Sequence, residues 1–204
     1  MAQQVYSAPY TFTTMAGSVG GPGSSDGTNS QARFSKPTGV AIDSAGNLYV
    51  ADALNETIRR ISPIGTNWVV GTLAGLAVSF YTNSGVGSIG TNDGVGSQAR
   101  FFLGSDDGDL GANCVAVDGA GNVFVADKWN ATIRKISPVG TNWMVSTVAG
   151  AVGLNGSGGT NDGIGSQARF FFPSGVAVDN AGNVYVRRWL RRFVENLCLT
   201  LHET

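Results

Sequence analysis

Apolar residues recur along this chain in short alternating runs, and turns rich in Gly, Asn and Asp separate the runs. Three anchors return in a fixed order: Ala-Gly at the end of a run, then Gln-Ala-Arg-Phe, then Val-Ala-(Ile/Val)-Asp-x-Ala-Gly-Asn. A period of two is typical of β-strands, and anchors in fixed order define a repeated unit. The sequence therefore predicts an all-β repeat protein. The Gln-Ala-Arg-Phe anchors occupy residues 31–34, 98–101 and 167–170.

Each complete unit predicts four antiparallel strands joined by tight turns. The turns Asp-x-Ala-Gly-Asn and Ser-Pro-x-Gly-Thr-Asn carry Gly and Asn where a positive φ is needed. Four-stranded meanders in tandem are the blades of a β-propeller, with the small residues of the first strand at the crowded axis. We predict two complete blades and the first two strands of a third. The predicted strands are 39–43, 47–52, 57–62 and 67–75 in the first blade and 114–118, 122–127, 132–137 and 142–150 in the second. The predicted blades span residues 39–75, 114–150 and 175–186 (partial).

Composition and charge agree with this fold class and reduce the number of functions that the sequence favours. The 204 residues include 30 Gly, and only 13% are charged, which favours short strands and turns. The formal net charge is −1, and acidic residues outnumber basic ones before residue 187, so the sequence disfavours binding to RNA or DNA. No apolar stretch is long enough to predict a membrane-spanning helix. We expect the two cysteines, Cys114 and Cys198, to be free thiols.

The segments GVAIDSAGNLYVADALNETIRRISP (39–63) and CVAVDGAGNVFVADKWNATIRKISP (114–138) resemble NHL repeats of β-propeller proteins. With its Gly-rich inserts, the region from residue 10 to about 186 is similar to large secreted or cell-surface NHL proteins of bacteria. The resemblance implies a part of a propeller of about six blades, located outside the cell or in the cell envelope. One departure is that Asn55-Glu56 and Asn130-Ala131 stand where the family usually has Asn-His.

The two ends of the chain raise separate expectations. Residues 1–9 form an N-terminal segment, and YTFTTMAG (10–17) predicts a Velcro-like strand that completes the last blade of a ring. After Val186 the expected Ala-Asp becomes Arg-Arg-Trp, so residues 187–204 form an aberrant Arg-rich tail. A frameshift or a truncated reading frame explains this tail most simply, and a native helical cap is the alternative. Incomplete blades leave open edges and faces, which predicts association with further copies.

Two groups of carboxylates are weak candidates for a metal site. Asp43, Asp118 and Asp179 each end the first strand of a blade, so they could converge on one mouth of the channel. Each could instead accept hydrogen bonds from its own turn, which is the reading we favour. The second group could form a calcium loop, a solvated surface loop or an insertion scar, and its spacing matches no known calcium loop. This second group consists of Asp106, Asp107 and Asp109. We predict no metal and no cofactor.

Three further sets of residues repeat from blade to blade. The Asp, Asn and Arg around the second and third strands could form a polar ligand patch or a buried hydrogen-bond set, and repetition favours the latter. An Asp in each Gly-rich insert stands seven residues before the Arg of Gln-Ala-Arg-Phe, which predicts an ion pair that closes the insert. The Phe of that anchor is expected to lie in the seam between blades. These sets comprise Asp52, Asn55 and Arg59; Asp127, Asn130 and Arg134; the pairs Asp26/Arg33, Asp93/Arg100 and Asp162/Arg169; and Phe34, Phe101 and Phe170.

Signals for catalysis are few. No nucleophile elbow, phosphate loop or histidine-based zinc spacing occurs, and the single histidine, His202, lies in the tail. Glu56 is the only glutamate before the tail and is predicted to lie on a turn. We therefore predict a non-catalytic scaffold or binding module for a protein or a glycan. The alternative is a fragment of a metal-dependent, lactonase-like hydrolase or lyase whose active site is incomplete here.

Overall fold

The computed structural model describes residues 11–77, 89–104, 114–152, 158–188 and 198–201. In these residues the regular structure is almost entirely β, with single 3-10 turns between strands. The strands are β1 (Gly27–Thr28), β2 (Pro37–Ile42), β3 (Leu48–Asp52), β4 (Thr57–Ile64), β5 (Asn67–Ala74), β6 (Gly94–Val95), β7 (Val115–Val117), β8 (Val123–Asp127), β9 (Thr132–Val139), β10 (Asn142–Gly150), β11 (Pro173–Val178), β12 (Val184–Arg188) and β13 (Cys198–Leu201).

The strands form three antiparallel sheets that follow one another along the chain. The sheet orders are β1-β5-β4-β3-β2, β6-β10-β9-β8-β7 and β11-β12-β13. We call these sheets the first, second and third blades. The inner strands β2, β7 and β11 lie next to one another, as blades converging on one axis require. The fold is therefore an incomplete β-propeller, as the sequence predicted.

The predicted strands agree with the observed ones to within a few residues, but each complete blade has one strand more than predicted. The two-residue strand β1 pairs with β5, and β6 pairs with β10 in the same way. Both short strands come from the Gly-rich inserts. They were not predicted from the sequence, because Gly27–Thr28 and Gly94–Val95 are too short to show an alternating pattern.

The structure differs from the sequence prediction at the N-terminus. Residues 11–17 contain no strand, and Tyr10 lies outside the described residues. Gly17 nevertheless forms the backbone bond that the corresponding glycine forms after a complete blade. The Gly17 N–H donates to the Asn29 carbonyl at 3.0 Å, as the Gly75 N–H donates to the Gly96 carbonyl at 3.1 Å after a complete blade.

The tail also differs from the alternative of a helical cap. Residues Cys198–Leu201 form β13, which pairs antiparallel with β12 and so becomes the third strand of the third blade. The rest of the segment after Arg188 lies outside the described residues, as do residues 1–9. No helix in the part of the chain that the structure describes has the length and apolarity that crossing a bilayer requires.

Two apolar cores fill the seams between neighbouring blades. The core between the first and second blades contains Tyr49, Ala51 and Leu73 from one side and Val115 and Val125 from the other. The core between the second and third blades joins Phe124 and Ala126 to Val176, Val184 and Val186. Each blade thus buries its face against the next blade rather than within itself, which is how stacked repeats acquire a continuous core.

The inner strand was predicted to be buried on both faces, and this holds only where a blade stands on each side. In the second blade Val115 is 5% exposed and Ala116 is 9% exposed. In the first blade Val40 is 64% exposed and Ile42 is 63% exposed, because no blade precedes them among the described residues.

Candidate functional site

The aspartates that end the first strands are fixed by their own turns. The Asp43 carboxylate accepts hydrogen bonds from the backbone N–H groups of Ala45 and Asn47, from the Asn47 amide at 2.8 Å and from the Tyr49 hydroxyl at 3.0 Å. Burial opposes ionisation of Asp43, but these bonds outweigh it and lower its pKa. Asp118 and Asp179 accept the corresponding backbone and Asn amide bonds in the other blades. Asp179 also accepts from the Tyr185 hydroxyl, whereas the second blade has Phe124 in place of the tyrosine.

The weak candidates for a metal site among the described residues receive no support from the geometry. Among residues 11–77, 89–104, 114–152, 158–188 and 198–201, no group of three or more His, Cys, Asp or Glu side chains could hold a metal ion. The turn-capping interpretation of Asp43, Asp118 and Asp179 is confirmed by their hydrogen bonds. Asp106, Asp107 and Asp109 lie outside the described residues, so the calcium loop stays a prediction.

A buried polar network occupies the outer end of each complete blade. In the first blade the Asp52 carboxylate accepts from the Asn55 amide at 2.7 Å, from Arg59 at 2.9 Å and from the Ser35 N–H at 2.6 Å. The side chains of Asp52 and Arg59 are both fully buried. The predicted intra-blade Asp–Asn–Arg set is therefore confirmed, and its burial makes it part of the structure rather than a ligand patch.

The second blade repeats this network with Asp127, Asn130 and Arg134. The Asp127 carboxylate accepts from Asn130 and Arg134 at 2.9 Å each and from the Phe102 N–H at 2.9 Å. Burial raises the pKa of Asp127, while the charge of Arg134 and the hydrogen bonds lower it. Removing one member of such a buried pair typically costs about 3–5 kcal/mol, because the remaining charge has no compensation.

The aspartates of the first two inserts pair with a different arginine from the one predicted from the sequence. The Asp26 carboxylate bonds Arg59 at 2.6 Å, not the predicted Arg33, and it also accepts from Thr72. Asp93 pairs with Arg134 in the same way at 2.7 Å. The spacing of Asp26 to Arg33 was constant because both residues belong to one folded insert. It did not show which arginine reaches the carboxylate.

Two of the three phenylalanines of the Gln-Ala-Arg-Phe anchors lie in the seams between blades, as predicted, and the third, Phe34, does not. Phe101 and Phe170 are fully buried in the first and second seam cores. Phe34 packs against the outer side of the first blade, where its ring also lies 5.1 Å from the Arg59 guanidinium. The Phe34 and Phe101 rings therefore join an insert to a blade and also cover the network arginines Arg59 and Arg134.

Glu56 lies on the predicted turn, but its side chain is buried in the first seam. Its carboxylate accepts hydrogen bonds from the N–H groups of Leu103 and Gly104, so it spans from the first blade to the second. Burial raises the pKa of Glu56 well above its usual value, the Leu103 N–H opposes this shift, and the nearby charge of Asp127 adds to it. No sequence signal indicated this burial, because the second blade has Ala131 at the same position.

A cluster of four aromatic side chains lies where the second blade meets the third. The Phe102 and Trp129 rings are stacked with centroids 5.6 Å apart, and the Phe172 ring meets Trp129 edge-on at 5.0 Å. Phe171 meets Phe172 edge-on at 4.9 Å. The buried Lys128 ammonium lies 5.7 Å from the Trp129 centroid. All four rings are half-buried, so each keeps some exposed surface, and we call them the aromatic cluster.

The aromatic cluster is absent from the first blade although the backbone there is the same. The backbone N–H of Trp129 donates to the Phe102 carbonyl at 3.1 Å, and the backbone N–H of Leu54 donates to the Ser35 carbonyl at the same distance. The two residue pairs thus hold equivalent places, anchored by equivalent aspartates. Ser35 and Leu54 thus hold these places in the first blade without aromatic rings. The cluster was not predicted from the sequence.

Cys114 carries a free thiol at the start of the second blade. It packs partly buried against the core of the second seam. Its place there is that of a small apolar residue. The side chain of Cys198 lies outside the described residues.

Comparison with known proteins bears on the family of these blades. Residues 34–59, which run from Phe34 through β3 to Arg59 in β4, match the family model of the NHL repeat. The chain contains an NHL repeat. The resemblance that the sequence motifs indicated is therefore confirmed, and the matched residues include the whole Asp–Asn–Arg network of the first NHL blade.

Several known proteins are similar to parts of this NHL-type chain. The Arabidopsis thaliana protein SUPPRESSOR OF QUENCHING 1, chloroplastic, is 27% identical over 156 residues, which are 75% of this chain and 13% of that protein. A Bacteroides thetaiotaomicron structural-genomics protein of unknown function has a TM-score of 0.52 at 24% identity, covering 69% of this chain and 29% of its own. A Bacteroides thetaiotaomicron auxiliary nutrient binding protein has a TM-score of 0.52 at 22% identity, covering 72% of this chain and 33% of its own.

These structural likenesses establish the propeller fold. The chain spans about a third or less of these two solved structures and 13% of the curated relative.

Proposed function

We propose that this chain is a non-catalytic binding module of a larger extracellular or cell-envelope protein, and that the aromatic cluster is its ligand-binding surface. The observation that carries this proposal is the exchange of Ser35 and Leu54 for Phe102 and Trp129 on an equivalent backbone. A blade that folds with Ser and Leu has no structural need for two stacked rings. Half-exposed aromatic rings with a nearby cation are a typical lining of small-ligand sites.

Of the two ligand classes, protein and glycan, the cluster fits a glycan better. Flat rings such as Trp129 and Phe102 present a face on which the apolar C–H face of a sugar ring can pack, while the edge-on Phe172 bounds it. The fold also occurs in a protein named as nutrient binding, so a propeller of this kind is compatible with ligand capture. A nucleic acid is disfavoured because the chain has no excess of positive charge.

The proposal is tested by exchanging the aromatic residues for those of the first blade. We would measure binding of the chain to a panel of neutral oligosaccharides, and then titrate each bound oligosaccharide by calorimetry. The variants Trp129→Leu and Phe102→Ser should each weaken binding about tenfold or more, since each removes one face of the stack. Circular dichroism should show the same β-structure as the parent chain, because Leu54 and Ser35 already fill these places.

Phe12→Ser is the matched control, because Phe12 is 94% exposed and far from the aromatic cluster in sequence. This variant should bind as the parent does. Unchanged affinity in both cluster variants, or no binding by the parent to any oligosaccharide, would contradict the glycan proposal. The hydrolase alternative is a proposal for a longer protein, and lactonase activity that depends on a divalent metal would favour it instead.

A further inference from the structure

The indole N–H of Trp129 is a buried hydrogen-bond donor without an acceptor. In the part of the chain that the structure describes, its Nε1 atom is covered and forms no hydrogen bond. A buried tryptophan N–H usually has a partner, because leaving the donor unpaired costs free energy. The ring itself is half-buried in the aromatic cluster, where it contacts Phe102 and Phe172. The missing acceptor is therefore one that a ligand of the cluster can supply.

The position of this donor distinguishes it from the other unpaired atoms of the blades. Leu54 holds the place of Trp129 in the first blade, and its side chain carries no polar atom. The unpaired Nε atom of Arg60 belongs to a guanidinium that lies over Trp143 at the first seam. Further unpaired atoms recur at matching positions of both blades and so belong to the fold: the hydroxyls of Thr57 and Thr132 and the Nε atoms of Arg59 and Arg134.

The surroundings of the Trp129 N–H favour a neutral acceptor over a charged one. A carboxylate would lose its hydration in exchange for a single N–H, and burying a charge costs far more than burying an amide carbonyl. The Lys128 ammonium is almost fully buried and lies 5.7 Å from the Trp129 centroid and 5.8 Å from the Phe172 centroid, so these rings already interact with its charge. The edge-on rings of Phe171 and Phe172 add apolar surface on which a methyl group can pack.

We propose that the Trp129 indole N–H donates to the acetamido carbonyl of an N-acetylated sugar, and that the acetamido methyl packs on the rings of the aromatic cluster. The acetamido group combines a neutral acceptor with an apolar methyl, which are the two features that the cluster can receive. Because the N–H is covered in the unliganded chain, the half-buried Trp129 ring shifts when the carbonyl enters. This inference rests on the proposed glycan-binding function and names the class of glycan that the cluster selects.

The test compares two neutral disaccharides that differ only in this group. N,N′-diacetylchitobiose carries an acetamido group at carbon 2 of each ring, and cellobiose carries a hydroxyl there. Calorimetry should show that the parent chain binds diacetylchitobiose about tenfold or more tightly, because cellobiose leaves the Trp129 N–H unpaired. Trp129→Phe keeps an aromatic ring but removes the N–H, so this variant should lose most of the preference. Trp68→Phe is the matched control, since it changes a half-buried tryptophan in β5 of the first blade and should keep the preference.

A second measurement follows the Trp129 N–H in the parent chain, so it does not depend on how well a variant folds. In nuclear magnetic resonance spectra of the ¹⁵N-labelled chain, the indole proton of Trp129 should move downfield on addition of diacetylchitobiose, as a proton donated to a carbonyl does. Cellobiose should move it less. The indole proton of Trp68 should not move with either sugar, because Trp68 packs in the first blade against a core that contains no residue of the aromatic cluster.

The outcomes separate this inference from the proposed function on which it rests. Equal affinity of the parent for the two disaccharides, a preference that survives in Trp129→Phe, or an indole proton that stays in place would overturn the inference. Binding of other oligosaccharides but not of diacetylchitobiose would also overturn it, and glycan binding would stand. Failure of the parent to bind any oligosaccharide would contradict both.

Discussion

The polar residues that repeat from blade to blade form hydrogen bonds within the fold rather than a surface for a ligand. Asp52 and Asp127 were predictable as a hydrogen-bonding set because their spacing to Asn and Arg repeats. A residue set that every blade needs in order to fold recurs in every blade. The pairing of Asp26 with Arg59 was not predictable, because Arg33 and Arg59 stand on different elements and only the folded insert shows which one is within reach. Glu56 was missed for a related reason, since burial in a seam depends on the neighbouring blade.

The buried carboxyl of Glu56 gives a prediction about pH. Its pKa in the folded chain is raised well above 4.5, so the folded state holds this proton at pH values where the unfolded state has lost it. The free energy of unfolding should therefore fall as the pH rises from 4.5 through the folded-state pKa. The variant Glu56→Gln cannot lose a proton. It should remove this fall and be more stable than the parent above the window.

Urea unfolding curves at several pH values would measure this effect. The control is Asp162→Asn, which removes an exposed carboxylate on an insert and leaves Glu56 in place, so this variant should keep the parent's decline in stability. If Glu56→Gln retains the parent's decline in stability with rising pH, Glu56 does not carry the proton in question.

At the scale of elements, alternation and turn chemistry were sufficient to predict the meanders. Strands β3, β4, β8 and β9 begin and end within about two residues of the predicted limits, because apolar alternation and Gly-Asn turns mark them clearly. The strand predicted at residues 10–17 did not form, since a strand needs a neighbour that local sequence cannot supply. The short strands β1 and β6 exist only because an insert lies along β5 or β10.

Gly75, which directly follows β5, gives a prediction about stability at the point where the first blade continues into the next insert. Gly75 has φ +93°, and a Cβ there would lie 2.3 Å from the Glu56 carbonyl oxygen and 3.2 Å from the Phe101 ring. Gly75→Ala should therefore lower the free energy of unfolding by more than about 2 kcal/mol, through backbone strain and the clash together. Thermal and urea unfolding would measure the loss.

Gly71→Ala is the matched control for this prediction. Gly71 lies in the same strand, β5, and a Cβ there meets nothing within 4 Å. This variant should change stability by less than about 0.5 kcal/mol, as surface substitutions usually do. Equal effects of the two substitutions would mean that close packing at Gly75 is not what ends the strand.

At the scale of the whole molecule, stability lies in the seams rather than within single blades. The first seam contains residues from both blades, and Phe101 is fully buried in it. We expect Phe101→Ala to cost about 3–5 kcal/mol, because a large ring is lost from a packed site. Since the seam is shared, tryptophan fluorescence and circular dichroism should report one unfolding transition at a lower urea midpoint.

Phe12→Ala serves as the control for the seam prediction, because Phe12 is 94% exposed and its loss should not shift the midpoint. A change of less than about 1 kcal/mol for Phe101→Ala would show that the blades hold together without this ring. Two separate transitions in the parent would show that the first and second blades fold independently.

The tie between Arg59 and the preceding insert has a practical consequence for engineering. Arg59 also bonds the backbone carbonyls of Ser25 and Arg33, so a single side chain holds the end of the insert whatever its length. Arg134 does the same for the insert that ends at Asp93. The inserts differ in length upstream of this tie, so we expect a change of insert length before Asp26 or Asp93 to leave the bonds of Arg59 and Arg134 in place.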